Sequence, residues 1–251
     1  MSLSDAATTR PVRRPRAESA ANRIRQSIAD GGERFWKSTD FPDIPPALVS
    51  KACSRLADEH VLQRVGKGIY YHPRNTVFGK SHPADIDILK LRLRQRITPA
   101  GLTAANWLGF SSQNPARLEY ATTATGINPD VFGNQRVRIY SRRPEPWNTL
   151  PTEDAALLDF IRGRGIHSEL SAEDTKKRLF TLIHEPGRFD RLCVVSSAEP
   201  ARVRAMLGAM GQEIGADPRL LENLRASLNP VSQFDFGAFK CLQYARGWQA
   251  K

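Results

Sequence analysis

Two carboxylates two positions apart, Asp85 and Asp87, follow the short step Gly79-Lys80-Ser81. On a strand, such a pair would hold Mg²⁺ ions against a triphosphate and support transfer of a nucleotidyl group. The spacing argues against that chemistry. The gap between the two steps is short, and residues 86–93 have helical periodicity, which sets Asp85 and Asp87 on different faces of a helix start. No apolar strand with a third carboxylate follows. The same residues suit a helix N-terminus, with Ser81 and Asp85 acting through capping and the macrodipole. His60, His72, His82, His167 and His184 show no metal-ligand spacing, and His184-Glu185-Pro186 lacks the second histidine of a zinc-hydrolase helix. Gly66-Lys67-Gly68 lacks the spacing of a phosphate-cradling loop. Cys53, Cys193 and Cys241 are far apart and odd in number, which fits reduced thiols in a cytosol better than a disulfide framework or a zinc site. The expectation is a non-enzyme with no cofactor and no metal.

The cations are more informative. The formal net charge is +11. Residues 1–98 hold 18 Lys/Arg against 10 Asp/Glu, and the remaining residues hold 19 against 16, so the excess sits in the first two-fifths of the chain. A basic part beside a near-neutral part points to a polyanion on one side, nucleic acid or an anionic membrane surface. No apolar run approaches the ~18 residues needed to span a bilayer. The arginine-rich start has no apolar stretch behind it, so no secretory signal is expected. Residues 1–18 carry Arg10, Arg13, Arg14 and Arg16 among Ser, Ala, Thr and Pro, and read as a disordered basic arm. Pro11 and Pro15 keep it extended, which suits minor-groove insertion. A solvated tail fits the same composition.

The elements that would position a polyanion contact come next. Residues 19–30 predict a helix capped by Ser19, with Ala20, Ile24 and Ile28 repeating at i+4 and Gly31-Gly32 ending it. Residues 35–44 predict a short element with a helical turn from Ser38 or Thr39, anchored by Phe35, Trp36, Phe41 and Ile44. Residues 45–60 predict a helix in which Val49, Ala52, Cys53 and Leu56 face inward. Ala47, Ser50, Lys51, Ser54, Arg55 and Asp58 then face outward. Small and basic residues on one face let a helix approach a groove while Lys51 and Arg55 reach bases or phosphates. Residues 61–72 predict two short strands joined through Gly66-Lys67-Gly68, with Arg64 before the tip and Lys67 on it. This order, within residues 19–75, is that of a winged helix-turn-helix, and the expected contacts on double-stranded DNA are Arg13, Arg14, Arg16, Ser50, Lys51, Ser54, Arg55, Arg64 and Lys67. A small α/β interaction module would show the same element order without needing a basic tip.

Beyond Pro73 the expectation is a middle α/β unit over residues 76–145. It has a helix at 83–95, another begun by Pro99 and ended by Gly109, and strands at 117–124 and 136–141. Pro144, Pro146 and Pro151 mark a boundary, followed by a largely helical region, 146–251. Its helices are expected at 152–163, 171–184, 198–213 and 217–227, with Thr152, Ser171, Ser197 and Asp217 as starters. Cys193-Val194-Val195 reads as a short buried strand or a loop. Phe234, Phe236, Phe239, Tyr244 and Trp248 near the end are expected to close a core. The fold class is therefore α+β.

The run LADEHVLQRVGKGIYYHP, then FGKSHPADID, then ITPAGLTAANWLGFSSQNP followed by two strands, resembles bacterial AbiEi-type regulators. These are the antitoxins of type IV toxin–antitoxin systems and their relatives. The resemblance covers about residues 19–142, and its most specific parts are the Gly68-Ile69-Tyr70-Tyr71 strand and the Pro99-to-Pro115 segment. It implies an N-terminal winged helix that binds operator DNA. It also implies a C-terminal domain that counteracts a nucleotidyltransferase toxin, which makes the chain an autorepressing, cytoplasmic antitoxin. The resemblance carries no residue over to positions 145–251, so a stand-alone repressor of a defence or mobile-element operon stays open. So does the lesser alternative, that Gly79-Lys80-Ser81 with Asp85 and Asp87 resembles the metal-binding step of nucleotidyltransferases themselves.

Overall fold

A computed structural model describes residues 19–93, 96–125 and 137–251. The arm with Arg10, Arg13, Arg14 and Arg16 lies outside the described residues. The chain is α+β and divides into two compact units, Met1–Ile88 and Leu89–Lys251. No described helix is long and apolar enough to cross a membrane.

The first unit begins with α1, Ala20–Asp30. The Ser19 hydroxyl accepts from the Asn22 N–H at 3.3 Å, and Ile24 and Ile28 are buried one turn apart, as the periodicity requires. Gly31 ends the helix where a Cβ would lie 2.4 Å from the Trp36 ring, so only glycine lets that indole close over the helix end. The next element, β1, Arg34–Lys37, is a strand that the sequence does not announce. Ser38–Asp40 follows as a 3-10 turn, the helical turn expected there. Helix α2, Pro46–Asp58, buries Val49, Cys53 and Leu56 on one stripe. Strands β2, Gln63–Gly66, and β3, Ile69–His72, form the expected hairpin, with Gly68 at φ +69 in its turn. The sheet runs β1-β3-β2, all antiparallel. Trp36 stacks on Phe41 at 5.4 Å, and both join Ile24, Ile28, Val49, Cys53, Leu56 and Tyr70 in one core.

A second hairpin, β4 (Asn75–Thr76) with β5 (Gly79–Lys80), corrects the reading of Gly79-Lys80-Ser81. Ser81 does not cap the following helix. Its hydroxyl accepts from the Arg74 N–H, its own N–H donates to the Arg74 carbonyl, both at 2.8 Å, and the hydroxyl lies 3.1 Å from the Tyr71 oxygen. Tyr71 donates to Glu33, and this bond, helped by Ser81, holds the Glu33 carboxyl below its ordinary range. Ser81 therefore closes the hairpin base onto the sheet. Asp85 and Asp87 both belong to α3, Asp85–Leu93, so the strand that a paired metal grip needs is absent from this position.

In the second unit, Thr98–Pro99 is β6 and pairs antiparallel with β7, Leu118–Ala121, which runs parallel to β8, Val137–Tyr140. Pro99 thus lies in a strand and does not start a helix. Helix α4, Gly101–Trp107, starts two residues later and has no capping side chain of its own. Carboxylates from elsewhere serve it: Asp159 accepts from the Gly101 N–H at 2.9 Å and Glu119 from the Leu102 N–H at 2.7 Å. Five α-helices follow among the described residues: α5 (Thr152–Arg162), α6 (Ala172–Ile183), α7 (Arg188–Ser196), α8 (Ala201–Glu213) and α9 (Pro218–Ala226). Ser171 and Asp217 cap as expected, through Asp174 N–H and Arg219 N–H. Cys193-Val194-Val195 is neither strand nor loop but the end of α7, and Ser197 closes α7 instead of opening α8.

The prolines from 144 to 151 mark a turn inside one unit. Residues before them (Ala104, Ala105, Leu108, Phe110) and after them (Leu157, Phe160, Leu179, Trp248) share a single core, with Phe110 stacked on Phe160 at 3.8 Å. The terminal aromatics close that core. Phe236, Phe239 and Trp248 are buried, and the Trp248 ring lies so close to α8 that a Cβ on Gly208 would sit 2.1 Å from it.

A buried ion cluster joins three of these helices. Arg188 is 1% exposed and Asp154 0%, so the pair is out of water. Arg188 Nε donates to Asp154 Oδ1 at 2.8 Å, Arg191 Nε donates to Asp154 Oδ2 at 2.6 Å, and Arg188 also meets Glu153, Glu185 and the Leu182 carbonyl.

Candidate nucleic-acid interface

Burying Val49, Cys53 and Leu56 forces the opposite face of α2 outward. Ser50, Lys51 and Arg55 are exposed on it and Ser54 is half-buried. The face is small at Ala47, Ser50 and Ser54, so a rod-like partner can come close to the helix axis between the two cations. Arg64 on β2 and Lys67 at the β2–β3 tip are exposed as well. The side chains of Lys51, Arg55, Arg64 and Lys67 form no ion pair among the described residues. Their charge is therefore available to an external anion. The β2–β3 register slips between Arg64 and Gly66, a bulge that sharpens the twist of the hairpin just before its basic tip.

Between α1 and α2 lies an open groove of about 340 Å³, whose lining includes Arg25, Leu48, Lys51, Arg55 and Glu59. Arg25 is held across it by Glu59 at 2.5 Å. Leu48, 49% exposed at the start of α2, is an apolar surface residue that the pattern of small and basic positions does not single out. Arg34 also escapes sequence reasoning. Its guanidinium lies 3.7 Å over the Trp36 ring and 3.8 Å from Asp40, which needs β1 to be recognised as a strand.

The structure brings Ser50, Lys51, Ser54 and Arg55 together on one helix face and Arg64 and Lys67 together on one hairpin. Arg13, Arg14 and Arg16 lie outside the described residues. Among the described residues, no group of three or more His, Cys, Asp or Glu side chains is placed to hold a metal ion.

Residues 35–181 match a family of unknown function, DUF6088. The chain belongs to DUF6088. The DUF6088 match starts in β1 and ends in α6, so it takes in the basic helix, its hairpin and the sheet of the second unit. No curated protein matches this DUF6088 chain. The crystal structure of the RV2827C protein from Mycobacterium tuberculosis is similar over 92% of this chain and 90% of that one, with a TM-score of 0.54 and 16% identity. At that identity the likeness shows a shared α+β fold.

Proposed function

We propose that this DUF6088 protein is a DNA-binding transcriptional regulator whose first unit is a winged helix-turn-helix. The observation that carries the reading is the order α1, β1, 3-10 turn, α2, β2, β3 with a β1-β3-β2 sheet, combined with cations on α2 and on the hairpin tip that form no ion pair among the described residues. In this reading α2 enters the major groove, Lys51 and Arg55 reach base edges or phosphates, and Lys67 touches the backbone beside it. Ser50 and Ser54 let the helix approach closely, Arg64 supports the wing, and Arg13, Arg14 and Arg16 extend the contact along the duplex. The chain acts in the cytoplasm, where its operator is, and needs no cofactor. It performs no catalysis.

The wing role has its own test. A contact to phosphate carries no sequence information, so Lys67→Ala should weaken operator and random duplexes alike and lower the slope of log affinity against log salt by about 0.9. A loss confined to the operator would assign Lys67 to base reading instead.

The second unit favours a further part of the reading. Residues 89–251 have their own core, which DNA binding by the first unit alone does not require. We infer that this unit meets a protein, a nucleotidyltransferase toxin if the chain is an antitoxin of the AbiEi type. With such a toxin supplied from an unrelated promoter, the Lys51→Ala, Arg55→Ala chain should still protect growth. No protection by either this variant or the unaltered chain would reduce the function to repression, the stand-alone regulator.

A further inference from the structure

The second unit contains a cavity of about 290 Å³ whose lining includes Tyr140, Arg143, Asp159, Arg162, His167 and Arg202. Its three guanidiniums come from different elements: the segment after β8, the last turn of α5 and the first turn of α8. Two have carboxylate partners. Arg143 Nη2 donates to Asp159 at 2.6 Å, and Arg162 Nη1 donates to Glu199 at 2.5 Å. Both acids are already committed elsewhere, Asp159 to the Gly101 N–H and Glu199 to Trp147 Nε1 at 2.7 Å.

The third guanidinium is left over. Arg202 pairs with no carboxylate among the described residues, and its Nη2 reaches only the Arg162 carbonyl at 3.3 Å. The Nε atoms of Arg143 and Arg202 are both buried without a hydrogen-bond partner among the described residues. Burial first, and then the neighbouring Arg164 charge, push the Arg202 pKa below its ordinary value, against a smaller opposing pull from Asp235. The backbone is strained here too. Arg142, beside Arg143, has φ 61, and Arg164, in the loop after α5 that carries Ile166 and His167, has φ 62, a conformation that L side chains with long stems rarely adopt. Uncompensated charge, unpaired donors and strained loops gathered at one cavity are features of a ligand clamp, since packing alone favours none of them.

We propose that this cavity binds a phosphomonoester, the phosphate seated among Arg143, Arg162 and Arg202 and its organic group beside Tyr140 and His167. A tetrahedral phosphate accepts hydrogen bonds from several directions at once, which suits guanidiniums converging from three elements better than a planar carboxylate does. The volume leaves room beyond the phosphate for a small organic group.

The test is calorimetric titration of the full chain with inorganic phosphate and with a nucleoside monophosphate, chloride holding the ionic strength constant. Both should bind saturably, at one site, and compete. Arg202→Gln should weaken binding by about tenfold or more, because the cation that the ligand neutralises is gone. The same change should leave the ligand-free melting temperature unchanged or higher, since it removes an unpaired charge. Ile166→Glu is a second variant, at a 60% exposed lining position where folding is not at stake. It should weaken phosphate binding by repulsion without altering the ligand-free melt. Absence of saturable binding, or affinity unchanged in both variants, would overturn the proposal.

Discussion

Changing Lys51 and Arg55 together to alanine should abolish operator-specific binding while leaving the protein folded. A side chain that reads a base edge supplies about 1–3 kcal/mol of discrimination. Two such contacts from one helix face amount to roughly 2–6 kcal/mol if they add, and neighbours on one face add only approximately. The single change Arg55→Ala should cost about 1–3 kcal/mol, mostly on the operator and little on random duplex. Both residues are exposed and neither is in an ion pair among the described residues, so thermal melting should not move. That control separates a lost contact from a lost fold. Gel-shift affinities unchanged in the double variant would remove α2 from the interface.

Asp154→Ala should destabilise the second unit by roughly 3 kcal/mol, the lower part of the range for breaking a buried ion pair. The carboxylate accepts from both Arg188 and Arg191, and its loss strands a guanidinium that is 1% exposed. Glu153 and Glu185 still reach Arg188, but they are 43% and 53% exposed and offer weak, screened compensation, which keeps the cost from the top of the range. Replacing both members, Asp154→Leu with Arg188→Met, should recover much of the loss, because no charge is then left buried. Chemical denaturation monitored in the second unit reads both effects. A cost below about 1 kcal/mol for Asp154→Ala would mean that water reaches Arg188 after all.

The elements that the sequence announces are those whose determinants are local. Ser19 caps α1, and Ile24 and Ile28 repeat within it. Val49, Cys53 and Leu56 give α2 its buried stripe, and so its exposed basic face. Gly68 supplies the turn of the hairpin. These residues sit next to what they specify, so the helix face and the basic tip could be named from types and spacing alone. The elements that escape are set by distant partners. Arg34-Phe35-Trp36-Lys37 is a strand because β3, more than thirty residues on, pairs with it. Gly101 starts α4 because Asp159 and Glu119 accept from its first N–H groups. Helix α7 opens at Arg188, an arginine whose burial depends on Asp154 in α5. Pro144 to Pro151 look like a linker, yet Trp147 among them is buried in the common core. The cavity around Arg202 is illegible for the same reason: its arginines are spread from 143 to 202 and acquire meaning only when three elements converge.

The most direct test of the central claim is an anisotropy titration of the full chain on a labelled duplex from upstream of its own gene, against a random duplex of equal length, at physiological salt. A winged-helix regulator should bind its own duplex about 10³-fold more tightly, or better. Equal affinity for the two duplexes, or no binding to either, would contradict it.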